Sequence, residues 1–240
     1  MTEKNTTIPK VDMLKAHLEQ AVQTEERERL YLGMSGLGEV CDRAMRYQIA
    51  TVLDSSMPHV RVASVTHEPR TARIFRMGHV IEDLIVTDLK AAGVIFESEQ
   101  DEYSDFDGVL KGHSDGVVTN VPTARKTRHL LEIKSMAEKY FTKYKKVGME
   151  KAQPKYWVQA QVYAYYAKVK RILFVVENKN NQARHYERAE ADTQLAEFYI
   201  SRAGRLIKAA KAGEPYPERV RQNPNEMPCL WCNRREVCHA

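Results

Sequence analysis

Two stretches constrain this chain more than any others: Gly112-His113-Ser114-Asp115 and Leu131-Glu132-Ile133-Lys134. Both read as parts of neighbouring strands, the first inside an expected strand Val109 to Val118, the second inside His129 to Ser135. Strand side chains alternate with period two, so Glu132 and Lys134 share one sheet face. Two acidic side chains, Asp115 and Glu132, can hold Mg²⁺, which polarises a phosphoryl oxygen and acidifies a bound water. A lysine two residues on can stabilise the water nucleophile or the charge of a developing phosphorane. The spacing therefore suits metal-assisted cleavage of phosphodiesters, although on these residues alone a solvated strand face is an equal alternative. A second Glu-x-Lys triplet, Glu177-Asn178-Lys179, is a decoy. It ends an apolar run, enters a hairpin-like Asn-Lys-Asn-Asn turn, and has no Gly-x-x-Asp shortly before it.

A chain of 240 residues fits one large domain, or a domain with terminal appendages. The longest unbroken apolar run, Val162 to Ala167, is far short of the ~20 residues of a membrane span. Met1 to Lys10 is polar and lacks the apolar region of a signal peptide. The expectation is a cytoplasmic protein (host cytoplasm if viral) with no membrane partner. The net charge of +5 is unevenly spread: residues 125–155 carry ten basic side chains against three acidic ones, +7, so the remainder sums to −2. A basic segment beside the carboxylates suits a polyanionic partner, the alternative being a solvated helix face.

Helices are expected over Val11 to Leu32, with Leu14, Leu18 and Val22 at helical spacing, from near Glu39, and over Thr71 to Ala92. Residues Ser55 to Pro69 read as a loop. In the third helix Ile74, Met77, Ile81, Leu84 and Ile85 form a core-facing stripe with Glu82 at its border. A carboxylate there needs a partner, either a metal or a basic side chain. Strands follow at Val94 to Glu99 and Val109 to Val118, joined by an acidic turn, Ser104 to Gly108. A Lys/Tyr-rich helix, Ala137 to Val147, is broken by Gly148. Pro154 opens another helix through about Lys168. Lys155, Gln159 and Tyr163 lie four apart on one of its faces, and Gln161 and Tyr165 repeat the pairing on a second. A glutamine amide can orient a water or meet phosphate, and a tyrosine can stack on a base; half-buried packing is the plainer alternative. A hairpin (Ile172 to Glu177, Ala183 to Ala189), an amphipathic helix (Asp192 to Ala212) and a proline-containing linker (Glu214 to Met227) complete the chain.

The tail carries Cys229, Cys232 and Cys238, and the only other cysteine is Cys41. In a cytosolic protein such cysteines read as a metal site rather than as disulfides. A Cys-x2-Cys turn grips one metal centre and a third thiolate arrives from behind. Cys41 is the one cysteine left to complete four ligands. All-sulfur ligation accepts Zn²⁺ or an iron–sulfur cluster, and spacing leaves both open. His239 is a further donor.

These residues resemble the PD-(D/E)xK nuclease superfamily in its RecB-like branch, and more closely the members stapled by an iron–sulfur cluster. Those are the CRISPR-associated adaptation exonucleases, their phage relatives and the nuclease domain of AddB. The matching motifs are Gly78 with Glu82, Gly112 with Asp115, Glu132 with Lys134, and Gln159 with Tyr163, one cysteine ahead of them and three behind. Gln161 with Tyr165 is a second candidate for the last motif. The resemblance spans Cys41 to Cys238. It implies an α/β fold, a mixed central sheet flanked by helices in a restriction-endonuclease-like core, with a cysteine-ligated cluster subdomain formed by both termini. The expected division is a flexible tail over 1–10, a helical part over 11–70 that supplies one cysteine, a nuclease core over 71–213, and a linker with cluster-binding segment over 214–240.

The resemblance further implies that Glu82, Asp115, Glu132 and the backbone carbonyl of Ile133 bind Mg²⁺ or Mn²⁺. Lys134 would position the water or stabilise the transition state, and Gln159 and Tyr163 would line the DNA path. Cys41, Cys229, Cys232 and Cys238 would hold an iron–sulfur cluster, 4Fe–4S in preference to zinc. Charge adds Lys143, Lys145, Lys146 and Lys155 to Tyr163 as DNA contacts. The leading expectation is a Mg/Mn-dependent exonuclease on single-stranded DNA ends. The alternatives are a structure-specific endonuclease in CRISPR adaptation or phage recombination, and a non-catalytic DNA-end-binding module. The expected partners are DNA, single-stranded or with free ends, and proteins of recombination, repair or CRISPR adaptation.

Overall fold

The computed structural model describes residues 13, 15–19, 24–25, 30–54, 66–67, 69–122 and 124–240. The chain divides into two compact units, one of Met1–Glu28 with Ala63–Val80, the other of Arg29–Val62 with Ile81–Ala240. In the first, β1 (Thr24–Glu25) pairs antiparallel with β3 (Thr66–His67), and Arg73 forms an ion pair with Glu19.

The second unit is built on a five-stranded mixed sheet in the order β10-β9-β8-β7-β4. These strands are β4 (Ile95–Glu99), β7 (Gly116–Thr119), β8 (His129–Met136), β9 (Arg171–Asn178) and β10 (Arg184–Glu190). β8 and β9 run parallel, the other pairs antiparallel. β9 carries an unbroken apolar run from Ile172 to Val176, and both β8 and β9 are buried almost throughout, as expected of central strands covered on both faces. The connection between them is α3 (Glu138–Ala152) followed by α4 (Pro154–Tyr166), since parallel neighbours require a long crossover.

Alternation along β8 splits the core into two layers. Leu131 and Ile133 pack with Leu173 and Val175 of β9 and with Ile81 and Ile85 of α2 (Pro69–Ala91). Leu130 and Met136 face the opposite layer, with Val158, Ala160, Val162 and Tyr163 of α4 and Ala203 and Ile207 of α5 (Thr193–Lys211). Fully burying a leucine or isoleucine is worth about 1.5–3 kcal/mol, so these two layers fix β8 in register. Glu132 and Lys134 necessarily point into the α4 layer.

A smaller sheet, β2-β6-β5, joins β2 (Leu32–Gly33), β5 (Glu102–Asp105) and β6 (Leu110–His113). The expected strand Val109 to Val118 is therefore two strands in two sheets. The chain changes sheet at Ser114 and Asp115, and Gly116 makes that possible. Its φ is +138°, and a β-carbon there would lie 2.3 Å from the carbonyl oxygen of Ser98. The expected acidic turn is likewise narrower, because Glu102–Asp105 pairs with β6.

Two helix expectations also change. The first does not run to Leu32, because Leu32 pairs with Leu110 and is 1% exposed. Leu14, Val22, the tail over 1–10 and most of the loop from Ser55 lie outside the described residues. The next helix, α1 (Asp42–Leu53), begins after Glu39: Arg202 draws the Leu37 and Glu39 carbonyls together and bonds Asp42 Oδ1 at 2.6 Å. Of the stripe expected on α2, Ile81 and Ile85 are buried, while Ile74, Met77 and Leu84 are exposed. The Gly148 break appears as a kink within α3, at φ +76°. Among the described residues no helix is long and apolar enough to cross a membrane.

Candidate active site

The change of sheet places Asp115 one position before Gly116, and Gly116 lies opposite Leu131 across β7 and β8. Asp115 is thereby set beside Glu132, and its Oδ2 accepts a 2.6 Å hydrogen bond from the Ile133 amide. Glu132 is fully buried. Its Oε1 accepts from Gln159 Nε2 at 2.8 Å and pairs with Lys134 Nζ at 2.6 Å. Its Oε2 is buried, with no hydrogen-bond partner among the described residues. Leaving a carboxylate oxygen desolvated and unpaired is costly, so a further electropositive group at Oε2 would stabilise the site.

Burial pushes the Glu132 carboxyl up to about 7; Lys134 opposes this, while Asp115 and Glu82 add to it. Glu82 thus lies within electrostatic reach of Glu132, and its Oε1 accepts from Gln100 Nε2 at 2.7 Å. Burial pulls the Lys134 ammonium down, but Glu132 and then Asp115 outweigh it and hold it above its ordinary value. Lys134 Nζ also donates to the Ile133 carbonyl at 3.0 Å and stands 5.4 Å from the centre of the Tyr156 ring. The ammonium is the cation bridging Glu132 Oε1 and the Ile133 oxygen. Among the described residues no three His, Cys, Asp or Glu groups converge on a single ion position. The Glu132 and Asp115 carboxylates and the Ile133 carbonyl are oxygen donors, the kind a hard cation takes.

The α4 face completes the site. Gln159 reaches Glu132, and Tyr163, 2% exposed, sits against the Gly112 backbone. Burial and the nearby Glu132 push the Tyr163 phenol above its usual range. Gln161 and Tyr165 serve another purpose. Gln161 donates to the Glu190 carbonyl at 3.3 Å and accepts from the Asp192 amide at 2.6 Å, tying α4 to the end of β10, and Tyr165 is 38% exposed. The decoy Glu177 is a structural acid: 4% exposed, it is bonded at 2.8 Å by Arg184, which also reaches Asp88. Sequence reasoning missed Tyr156, although it lies three residues before Gln159 and seven before Tyr163 on the same helical face.

The lysines expected to meet DNA lie on α3 (Lys143, Lys145, Lys146) and in the first turn of α4 (Lys155). Lys145 and Lys146 line a cavity of about 300 Å³ with Glu138, Phe141 and Asn178. Lys143 approaches the Ala152 carbonyl, and Lys155 is ion-paired with Glu39.

Cys41, at the start of α1, and the three tail cysteines are all unpaired thiols. The Cys232 thiol is raised first by burial and further by Cys41, Cys238 and Cys229, so all four lie within electrostatic reach. The tail is bound to α1 by Tyr216 stacked on Tyr47 at 4.4 Å and by Arg43, which bonds the Pro217 carbonyl at 2.9 Å. Although burial lowers the Arg43 guanidinium, a hydrogen bond to the Cys238 side chain raises it above its usual value. Thiolates are the donor type that zinc or an iron–sulfur group takes, although among the described residues no three of these cysteines converge on one ion position.

No family model matches this sequence, and no curated protein matches it. Solved structures do. An alkaline exonuclease from Laribacter hongkongensis (LHK-Exo) is 13% identical, over 77% of this chain and 89% of that one, with a TM-score of 0.53. The same enzyme in complex with dAMP gives 16%, 75%, 91% and 0.44. The structure of SSO0001 is 16% identical, over 97% of this chain and 96% of that one, with a TM-score of 0.43. The likeness to LHK-Exo at 0.53 is one of fold: a mixed α/β core with its sheets flanked by helices.

Proposed function

We propose that this chain is a metal-dependent nuclease that hydrolyses phosphodiesters in DNA, acting as an exonuclease on single-stranded ends. The observation that carries the reading is the buried, unpartnered Oε2 of Glu132, on a carboxylate already bridged by Lys134 and set beside Asp115. A protein that needed this arrangement only for stability would do better with apolar residues of similar size. The shared architecture with LHK-Exo, itself an exonuclease, supports the class.

In this reading Glu132, Asp115 and the Ile133 carbonyl, with Glu82, would hold Mg²⁺ or Mn²⁺. When bound, the ion would polarise a phosphoryl oxygen and acidify a water. Lys134 carries a fixed positive charge at the same locus and stabilises the charge that develops on the scissile phosphate. Gln159 orients the Glu132 carboxylate through its amide. Tyr163 closes the site against the Gly112 strand. Lys143, Lys145, Lys146 and Lys155 supply phosphate contacts along the strand. Cys41, Cys229, Cys232 and Cys238 would hold a structural iron–sulfur cluster that pins the tail to α1.

End-labelled single strands incubated with Mn²⁺ test this directly. The wild type degrades them, and Asp115→Ala and Lys134→Ala do not. Undiminished degradation by both variants removes the site. A circular single strand should survive; its cleavage would make the enzyme an endonuclease.

A further inference from the structure

Among the described residues three groups meet the Lys134 ammonium, Glu132 Oε1 at 2.6 Å, the Ile133 carbonyl at 3.0 Å and the Tyr156 ring, whose centre lies 5.4 Å away, with Asp115 in electrostatic reach. The first two are groups that the proposed function assigns to a divalent cation. They cannot keep the ammonium at full strength once a dication competes for the same oxygens, because two like charges would then crowd one carboxylate. The third neighbour is not a metal ligand and is unaffected by that competition. An aromatic face within about 6 Å attracts an ammonium through the ring quadrupole, more strongly where water is scarce, and the Lys134 side chain is only 19% exposed.

Tyr156 is also held in place. It is half-buried against the α4 core layer, and it shares a helical face with Gln159 and Tyr163. One face of α4 therefore addresses three parts of the site: Tyr163 the Gly112 backbone, Gln159 the Glu132 carboxylate, and Tyr156 the Lys134 ammonium.

Resting on the metal-dependent reading of this site, the geometry points to Tyr156 as a positioning residue that retains the Lys134 ammonium when a divalent cation takes Glu132 and the Ile133 carbonyl. The lysine is thereby kept at the scissile phosphate instead of being expelled into solvent.

The test compares wild type, Tyr156→Phe, Tyr156→Leu and a pentafluorophenylalanine at position 156, which keeps the ring shape and inverts its face potential. The first readout is independent of activity: the side-chain ε-methylene resonances of Lys134 in lysine-labelled protein, assigned by loss in Lys134→Met. Ring-current shielding should persist when Mg²⁺ is added to wild type and Tyr156→Phe, and be absent in Tyr156→Leu. The second is kinetic: kcat should be kept by Phe and should fall about three- to thirtyfold with Leu and with the fluorinated ring, at little-changed KM. The fluorinated variant guards against a packing defect in Leu, since it fills the same volume. Loss of shielding on Mg²⁺ addition in wild type, or wild-type kcat in the fluorinated variant, overturns the proposal. Absence of DNA cleavage by the wild type would instead refute the nuclease reading, and the shielding arm would still report where the ammonium goes.

Discussion

Tyr163 lies so close to Gly112 that a β-carbon on the glycine would stand 2.7 Å from the tyrosine Cε1 and 2.8 Å from its hydroxyl oxygen. Met34 Cβ would be equally near, at 2.8 Å. The glycine of the Gly-x-x-Asp stretch is thus demanded by packing against the helix that carries Gln159. Gly112→Ala forces either Tyr163 or the turn that carries Met34 to move, and overpacking of this kind costs about 1–3 kcal/mol. Urea denaturation should show a lowered midpoint, and the loss caused by Gly112→Ala should be smaller when the change is made in a Tyr163→Ala background. A Gly112→Ala protein as stable as wild type would contradict the contact.

Glu132 sets a pH dependence whose sign is fixed. Its carboxyl is raised by burial from 4.5 to about 7. A raised carboxyl favours the folded state fully below pH 4.5, and that contribution is lost as pH climbs through about 7. At about 1.4 kcal/mol per unit, the loss is roughly 3 kcal/mol in metal-free protein. In chelator, wild type should therefore lose stability relative to Glu132→Gln between pH 4.5 and 8. Divalent cations compete with the same proton, so Mg²⁺ affinity, measured by calorimetry, should tighten over that range. A stability difference that stays flat with pH would refute the burial argument.

The two glutamines of α4 should separate cleanly. Gln159→Ala removes a hydrogen bond to a buried carboxylate, worth about 1.5–3 kcal/mol, and should lower kcat by about ten- to a hundredfold. Gln161→Ala breaks the link between α4 and the Glu190–Asp192 turn. It should lower the melting temperature and leave kcat unchanged. The reverse pattern would exchange their roles.

The cysteines should act as one unit. If they hold the proposed cluster, Cys41→Ala and Cys232→Ala should each abolish its visible absorbance and release the tail, seen as new proteolysis after residue 213. Anaerobically purified, colourless wild type with stoichiometric zinc would reject an iron–sulfur cluster. Full metal content in Cys41→Ala would detach α1 from the site.

Period-two alternation along Leu130 to Met136 is strong in the sequence, and it correctly places Glu132 and Lys134 together on one buried face. Helical spacing places Gln159 and Tyr163 together just as well. The sequence signal failed where long-range pairing overrides local pattern. Leu32 looks helical until Leu110 supplies a strand partner. Val109 to Val118 looks like one strand, because nothing local reveals that Gly116 must pass beside the Ser98 carbonyl. The exposure of Met77 and Leu84 is equally invisible to periodicity. Tyr156 was hidden because its partner is a cation on a distant strand.

The change of sheet at Ser114 and Asp115 has a consequence for biosynthesis. Asp115 reaches the Ile133 amide across 18 positions, and Glu132 reaches Gln159 across 27. Neither acid is held until β8 and then α4 have left the ribosome and docked. A nascent chain that ends between Glu132 and Gln159 carries both acids but not the glutamine that holds the second, so the carboxylate pair and the tertiary fold are completed together.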